Sequence, residues 1–193
     1  MLIMGNNGYT LLSKRVPKSS RGLHVGDSLT DDYWKGVGEF DYYKPADPEF
    51  HWTHILAREL EWDMINTGIA GDTAINIATN RLQTGILNYS PNYVTIMCGG
   101  NDIYYGSETL EAIVDHIKTI VQTCLNNEIV PILMWCPIGV FTGMGATSLT
   151  RQHDFLIRMP LLLSSYAASI NIIFVDFQET VLGSGYAVNN EYY

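Results

Sequence analysis

The residues best placed to do chemistry begin with Gly26-Asp27-Ser28, at the end of the short apolar run 23–25, where a glycine lets the chain turn and the serine is presented rather than packed. A hydroxyl just past the first strand of a parallel α/β sheet points into the crevice at the strands' carboxyl ends, where ligands bind. Such a hydroxyl becomes a nucleophile once a base takes its proton, and the oxyanion that follows must be met by fixed donors. Taken alone, the tripeptide reads as a simple turn, with Asp and Ser bonding nearby amides. Two later stretches change that reading. Asn66-Thr67-Gly68-Ile69-Ala70-Gly71-Asp72-Thr73 follows a second apolar run, and Cys98-Gly99-Gly100-Asn101-Asp102 follows a third, at 93–97. Each is a strand end followed by glycines and a small polar group. A helix-start turn capped by Asp72 or Asp102 explains either site alone, but not the ordered set.

Together and in this order the three stretches resemble the SGNH (GDSL-type) hydrolase family, from about Leu23 to the end of the chain. Gly26-Asp27-Ser28 matches the family's first block, Gly71 the glycine of its second, and Gly99-Gly100-Asn101-Asp102 its third. The resemblance implies a serine ester hydrolase acting on small acyl or acetyl groups, with carbohydrate esters among the candidate substrates, through an acyl-enzyme at Ser28. It also implies an oxyanion hole made by the backbone N–H of Ser28, the backbone N–H of Gly71 and the side-chain amide of Asn101. These residue types suit the task, since glycine lets a backbone N–H approach substrate with no Cβ in the way and asparagine carries an NH₂ with two donors. Asp27 and Asp102 read as carboxylates that brace the loops, and Asn66 as a further brace.

The family's general base is a histidine in a D-x-x-H block just past the fifth strand. Here the chain runs from Val175-Asp176 to Tyr193 with no histidine after His153. The resemblance therefore implies that the Asp, the His and a closing helix come from sequence beyond Tyr193 or from another chain. Among the other histidines, His24 lies inside the first strand, His51 and His54 flank the start of the first helix, and His116 falls on the polar side of its helix. His153, beside Asp154, is the one with a route to the crevice as a surrogate base. The alternative is a catalytically inactive SGNH-fold module that has lost its base and binds a carbohydrate or other ligand within a larger protein.

The elements that must position these residues follow from periodicity. Short apolar runs at 22–25, 64–66, 93–97, 129–135 and 172–177 predict five strands. Between them, apolar residues at helical spacing predict helices over 52–60, over a stretch carrying Ile75, Ile77, Ala78, Leu82 and Ile86, over 108–125, and over 156–170. Strands alternating with helices predict a parallel sheet covered on both faces, a three-layer α/β/α sandwich. The resemblance adds the flavodoxin-like strand order 2-1-3-4-5. Residues 1–20 read as an N-terminal hairpin and basic connector, and 21–193 as the hydrolase-like domain. The stretch from Asp31 to Glu49, rich in aromatics such as Tyr33 and Trp34, reads as a long loop near the serine, and Tyr33, Trp34 and Tyr104 are candidates for stacking on a sugar ring.

Bulk properties exclude several classes. The 193 residues suit one domain with a real core. With 11 Lys and Arg against 20 Asp and Glu, the net charge of -9 disfavours nucleic acid as a partner. Asp27, Asp31 and Asp32 put negative charge at the first loop, which argues against a nucleotide phosphate there. No apolar run is long enough for a bilayer and the first residues lack a signal peptide's apolar core, so a cytoplasmic location is the expectation. Cys98, Cys124 and Cys136 show no C-x-x-C spacing, and the histidines no ligand spacing, so neither a metal nor another cofactor is implied.

Overall fold

The computed structural model describes residues 20–31, 51–135 and 154–177. The predicted hairpin and most of the connector, the aromatic loop beyond Asp31, Cys136, His153 and the stretch after Phe177 lie outside the described residues.

Five strands, β1 (Arg21–Gly26), β2 (Asp63–Asn66), β3 (Tyr93–Met97), β4 (Val130–Trp135) and β5 (Ile173–Asp176), form one parallel sheet in the order β2-β1-β3-β4-β5. This is the order that the resemblance implies. β1 pairs with β2 from Arg21↔Asp63 to His24↔Asn66 and with β3 from Gly22↔Tyr93 to Gly26↔Met97. The turns that follow β1, β2 and β3 therefore open side by side at the carboxyl end of the sheet.

Strand alternation sorts the core into two clusters. Leu23, Val25, Val94, Ile96, Leu133 and Trp135 face the larger one, which is closed by α5 (Leu110–Asn126), α6 (Met159–Ser169) and the segment 74–86. Met97, Ile132, Met134 and Val175 face the smaller one, beneath Leu56, Ala57 and Leu60 of α1 (Trp52–Leu60). Local sequence explains the long helix. Thr109 caps α5 by accepting from the Ala112 N–H, and Ile113, Val114, Ile117, Ile120, Val121 and Cys124 give it a continuous buried stripe. Among the described residues no helix is long and apolar enough to cross a membrane.

Two predicted helices differ in detail. The stretch from Ala74 to Tyr89 is not one helix but α2 (Ala74–Asn76), a π-helical turn (Ile77–Arg81), α3 (Leu82–Gly85) and a 3-10 turn (Leu87–Tyr89). Apolar spacing cannot show the extra residue of a π turn, because the buried positions on either side still read as helical. α6 is likewise preceded by a π turn (Asp154–Arg158), and Pro160 falls in the first turn of α6.

Candidate active site

Ser28 sits half-buried in the turn that leaves β1. The turn is made by Asp27, whose carbonyl accepts from the N–H of Thr30 at 3.0 Å and of Asp31 at 2.9 Å, while its Oδ1 accepts from the Leu29 N–H at 3.0 Å. The Ser28 N–H is left without an acceptor among the described residues. Two outside groups hold the turn in place. Trp52 of α1 donates its indole N–H to the Leu29 carbonyl at 2.6 Å, and the Asn66 side chain donates to the Thr30 carbonyl at 2.7 Å.

The loop after β2 is held along its whole length. The N–H of Thr67 bonds to the His24 carbonyl, that of Gly68 to Asn66 Oδ1, and that of Ile69 to the Gly26 carbonyl at 3.0 Å. The Ala70 N–H bonds to Asp31 Oδ2, that of Asp72 to the Ile69 carbonyl, and that of Thr73 to Asp72 Oδ1. Ala74 and Ile75 donate to the Asp102 carboxylate at 2.8 and 3.3 Å, and Asn76 donates to Thr73 Oγ1. In the run from Thr67 to Asn76, the Gly71 N–H alone has no acceptor among the described residues. Gly71 is exposed, has φ of 80°, and would carry a Cβ into open space.

Asn101 lies on α4 (Gly100–Tyr105), which β3 enters through Gly99 at φ 106°. Its Nδ2 donates to the Asp72 carbonyl at 2.8 Å, which seats the side chain against the Gly71 loop and leaves one of the two amide hydrogens unspent. Asp102 does not cap its own helix. Its carboxylate crosses to the first N–H groups of the segment beginning at Ala74 and so ties the third loop to the second. The first loop meets the second backbone to backbone at Gly68, where a Cβ would stand 2.5 Å from the Asp31 nitrogen and 2.6 Å from the Thr30 carbonyl carbon.

The site is acidic and largely desolvated. Burial pushes the Asp27 carboxyl up to about 6, the Leu29 N–H opposes this, and the nearby Asp72 and Asp102 charges add to it. Asp102 is also raised by burial, against the pull of the Ala74 and Ile75 N–H groups. Asp72, whose side chain is 1% exposed, is paired with the Arg81 guanidinium. Burial, with the same three carboxylates, holds the Cys98 thiol well above its ordinary range, so Cys98 is not a nucleophile here. Among the described residues no group of three or more His, Cys, Asp or Glu could hold a metal ion.

The described histidines are occupied elsewhere. His24 is fully buried in β1, with Nδ1 2.7 Å from Thr95 Oγ1 and its ring between Trp52 and Trp62. Burial first, then the nearby His51 and His54, lower it to about 3, so the ring is neutral. His51 caps α1, and His116 faces Glu108 at 3.2 Å. Sequence reasoning passed over Arg81 and read Asp31 only as negative charge at the first loop, whereas both fasten the Gly71 loop. A signal existed for Arg81, a single cation in the helical segment that follows Gly71-Asp72-Thr73 in a strongly acidic chain.

The model of the GDSL-like lipase/acylhydrolase family matches residues 24–192, and the chain belongs to that family. It is therefore an esterase-type hydrolase with an α/β sheet of the kind the family shares. A protein of the G-D-S-L family from Desulfitobacterium hafniense DCB-2 is similar in structure, with 26% identity, a TM-score of 0.62, and coverage of 82% of this chain and 78% of that one. Axe2, an acetylxylan esterase from Geobacillus stearothermophilus, has 21% identity and a TM-score of 0.63, covering 92% of this chain and 86% of its own. No curated protein matches the chain.

Proposed function

We propose that the chain hydrolyses small acyl esters through Ser28, with acetyl groups on carbohydrate as the favoured substrate class. Ser28 Oγ attacks the ester carbonyl carbon while its proton passes to a base. The resulting oxyanion is met by the Ser28 N–H, the Gly71 N–H and the free hydrogen of the Asn101 amide. The C–O bond to the leaving group then breaks, the proton returns to the departing alcohol, and water hydrolyses the acyl-enzyme to free acid and Ser28. The histidine that the family resemblance assigns as base would follow β5, and the sequence holds no histidine after His153.

The observation that carries this reading is the accounting of donors. Half-buried backbone N–H groups are usually paired, and the one at Ser28 is not, although Leu29, Thr30 and Asp31 after it are engaged. The exposed Gly71 N–H is open between engaged neighbours on both sides, and Asn101 spends one of its two hydrogens. Donors left open beside a presented hydroxyl suit an anion that exists only during reaction. The carbohydrate part of the reading is supported by the likeness to Axe2, whose own substrate is acetylxylan.

A fluorophosphonate probe tests the nucleophile in the intact protein. Ser28 should be labelled, the Ser28→Ala variant should not, and hydrolysis of an aryl acetate should fall by about a thousandfold or more in that variant. An unlabelled Ser28 in an active protein overturns the assignment. Comparing acetylated xylo-oligosaccharide with longer acyl esters tests the substrate class, and a preference for long chains overturns it.

A further inference from the structure

We propose that Arg81 is a positioning residue for the oxyanion hole, acting through Asp72 and Thr67 on the Gly71 N–H. This rests on the reading of Gly71 as a donor to the oxyanion. One guanidinium nitrogen of Arg81 donates to Asp72 Oδ2 and the other to the Thr67 carbonyl. These two partners stand at either side of Gly71, so a single planar group spans the loop that presents the donor.

The helix is built to deliver this group. Arg81 is the last residue of the π turn and leaves the helical region at φ −121° and ψ 2°. The added residue of a π turn changes which side chains face back along the helix, and here Arg81 reaches Thr67 and Asp72. Thr67 is also fixed by its own hydroxyl, which donates to the Gly85 carbonyl at 2.8 Å. Asp72 is gripped further by Asn76 Nδ2 at 2.6 Å.

Electrostatics gives the contact a second consequence. The Asp72 side chain is 1% exposed and adjoins Gly71, where negative charge would develop during reaction. An unpaired carboxylate there would oppose the oxyanion in a poorly screened setting. The Arg81 side chain, 12% exposed, supplies the compensating charge from the far side of the loop. Arg81 needs no contact with substrate to do this.

Two variants of the intact protein, Arg81→Gln and Arg81→Lys, test the proposal by two readouts. Amide hydrogen exchange at 68–73 should quicken about tenfold or more in Arg81→Gln while Ile96 in β3 stays protected. Unchanged exchange in that loop overturns the proposal whatever the catalytic outcome. With an aryl acetate, kcat should fall about 10- to 100-fold in Arg81→Gln with KM within about twofold. Arg81→Lys, which keeps the charge but not the fork, should fall between Gln and the native residue. If Arg81→Gln does not fold, Arg81→Lys decides alone, since native kcat and native loop exchange in it overturn the role of the fork. A loss confined to KM also overturns the proposal. Native protein in which Ser28 resists the fluorophosphonate refutes the hydrolytic reading instead, and the exchange readout still decides what Arg81 holds.

Discussion

The turn after β1 and the loop after β2 present neighbouring groups by opposite means. The Ser28 turn is largely self-made, because one residue, Asp27, accepts from three of the next four N–H groups. The Gly71 loop is held from a distance, by Asp31 of the first loop, Asn101 and Asp102 of the third, and Arg81 of the following helical segment. The proposed nucleophile, set mostly by local chemistry, should tolerate remote change. The proposed donor at Gly71, set by long-range contacts, should register it.

The most damaging way to break this arrangement is at the contact between the two regions. Gly68→Ala would drive a Cβ to 2.5 Å from the Asp31 nitrogen, and because backbone must yield we expect a loss of about 3 kcal/mol or more in denaturant unfolding. Both loops should loosen together, and a stability within the error of the native protein would show that they are not packed as described. Next in size is the pH dependence of Asp27. Its folded value of about 6 lies above the ordinary 3.8, so its contribution is fully present below about pH 4 and is lost as pH rises through about 6. At about 1.4 kcal/mol per pH unit the loss is at most about 3 kcal/mol. Asp27→Asn keeps an oxygen for the Leu29 N–H and removes the titration. Its stability relative to the native protein should therefore increase between pH 4 and 6, and a flat difference would contradict the burial argument. His24 works in the other direction. With its folded value lowered to about 3 from 6.5, it takes stability away as pH falls below about 6.5.

Asp102→Ala sharpens the comparison by removing the acceptor for two N–H groups of the second loop while sparing the first turn. About 2 kcal/mol should be lost. Amide exchange should quicken at Ala74 and Ile75 but not at Leu29 and Thr30, and uniform quickening would mean that the two regions open as one. The smallest effect belongs to Gly71→Ala. Its Cβ meets nothing within 4 Å, so the cost is that of holding alanine at φ 80°, about 1 kcal/mol. A much larger loss of stability would mean that Gly71 is not at an open apex.

Much of the framework could be read from residue order. The run Tyr93–Met97 is a strand with the limits its apolar residues suggest, and Leu110–Asn126 is a helix because its apolar positions recur at three and four. The strand order came from likeness to a family, since periodicity cannot say which strands are neighbours. What stayed hidden was contact between residues far apart in the chain. Asp102 read as a carboxylate that braces a loop, but residue order did not show that the N–H groups it accepts from belong to the segment starting at Ala74, 28 positions away. Arg81 stood within an apparently regular helix, and its link to Asp72 depends on a π turn that leaves no mark in hydrophobic spacing. Ser28, Gly71 and Asn101 stood out because small residues after strand ends are conspicuous. The open state of two of their N–H groups could be seen only once every neighbour's partner was known.

Trp52 links the first turn to the interior, with its indole N–H on the Leu29 carbonyl and its ring edge-on to His24 and near Phe177. Indole emission follows both its hydrogen bond and the charge of an adjacent imidazole. The chain thus contains its own optical gauge beside Ser28, one whose wavelength would follow displacement of the turn when an ester is seated and whose intensity would drop in strong acid as His24 gains a proton.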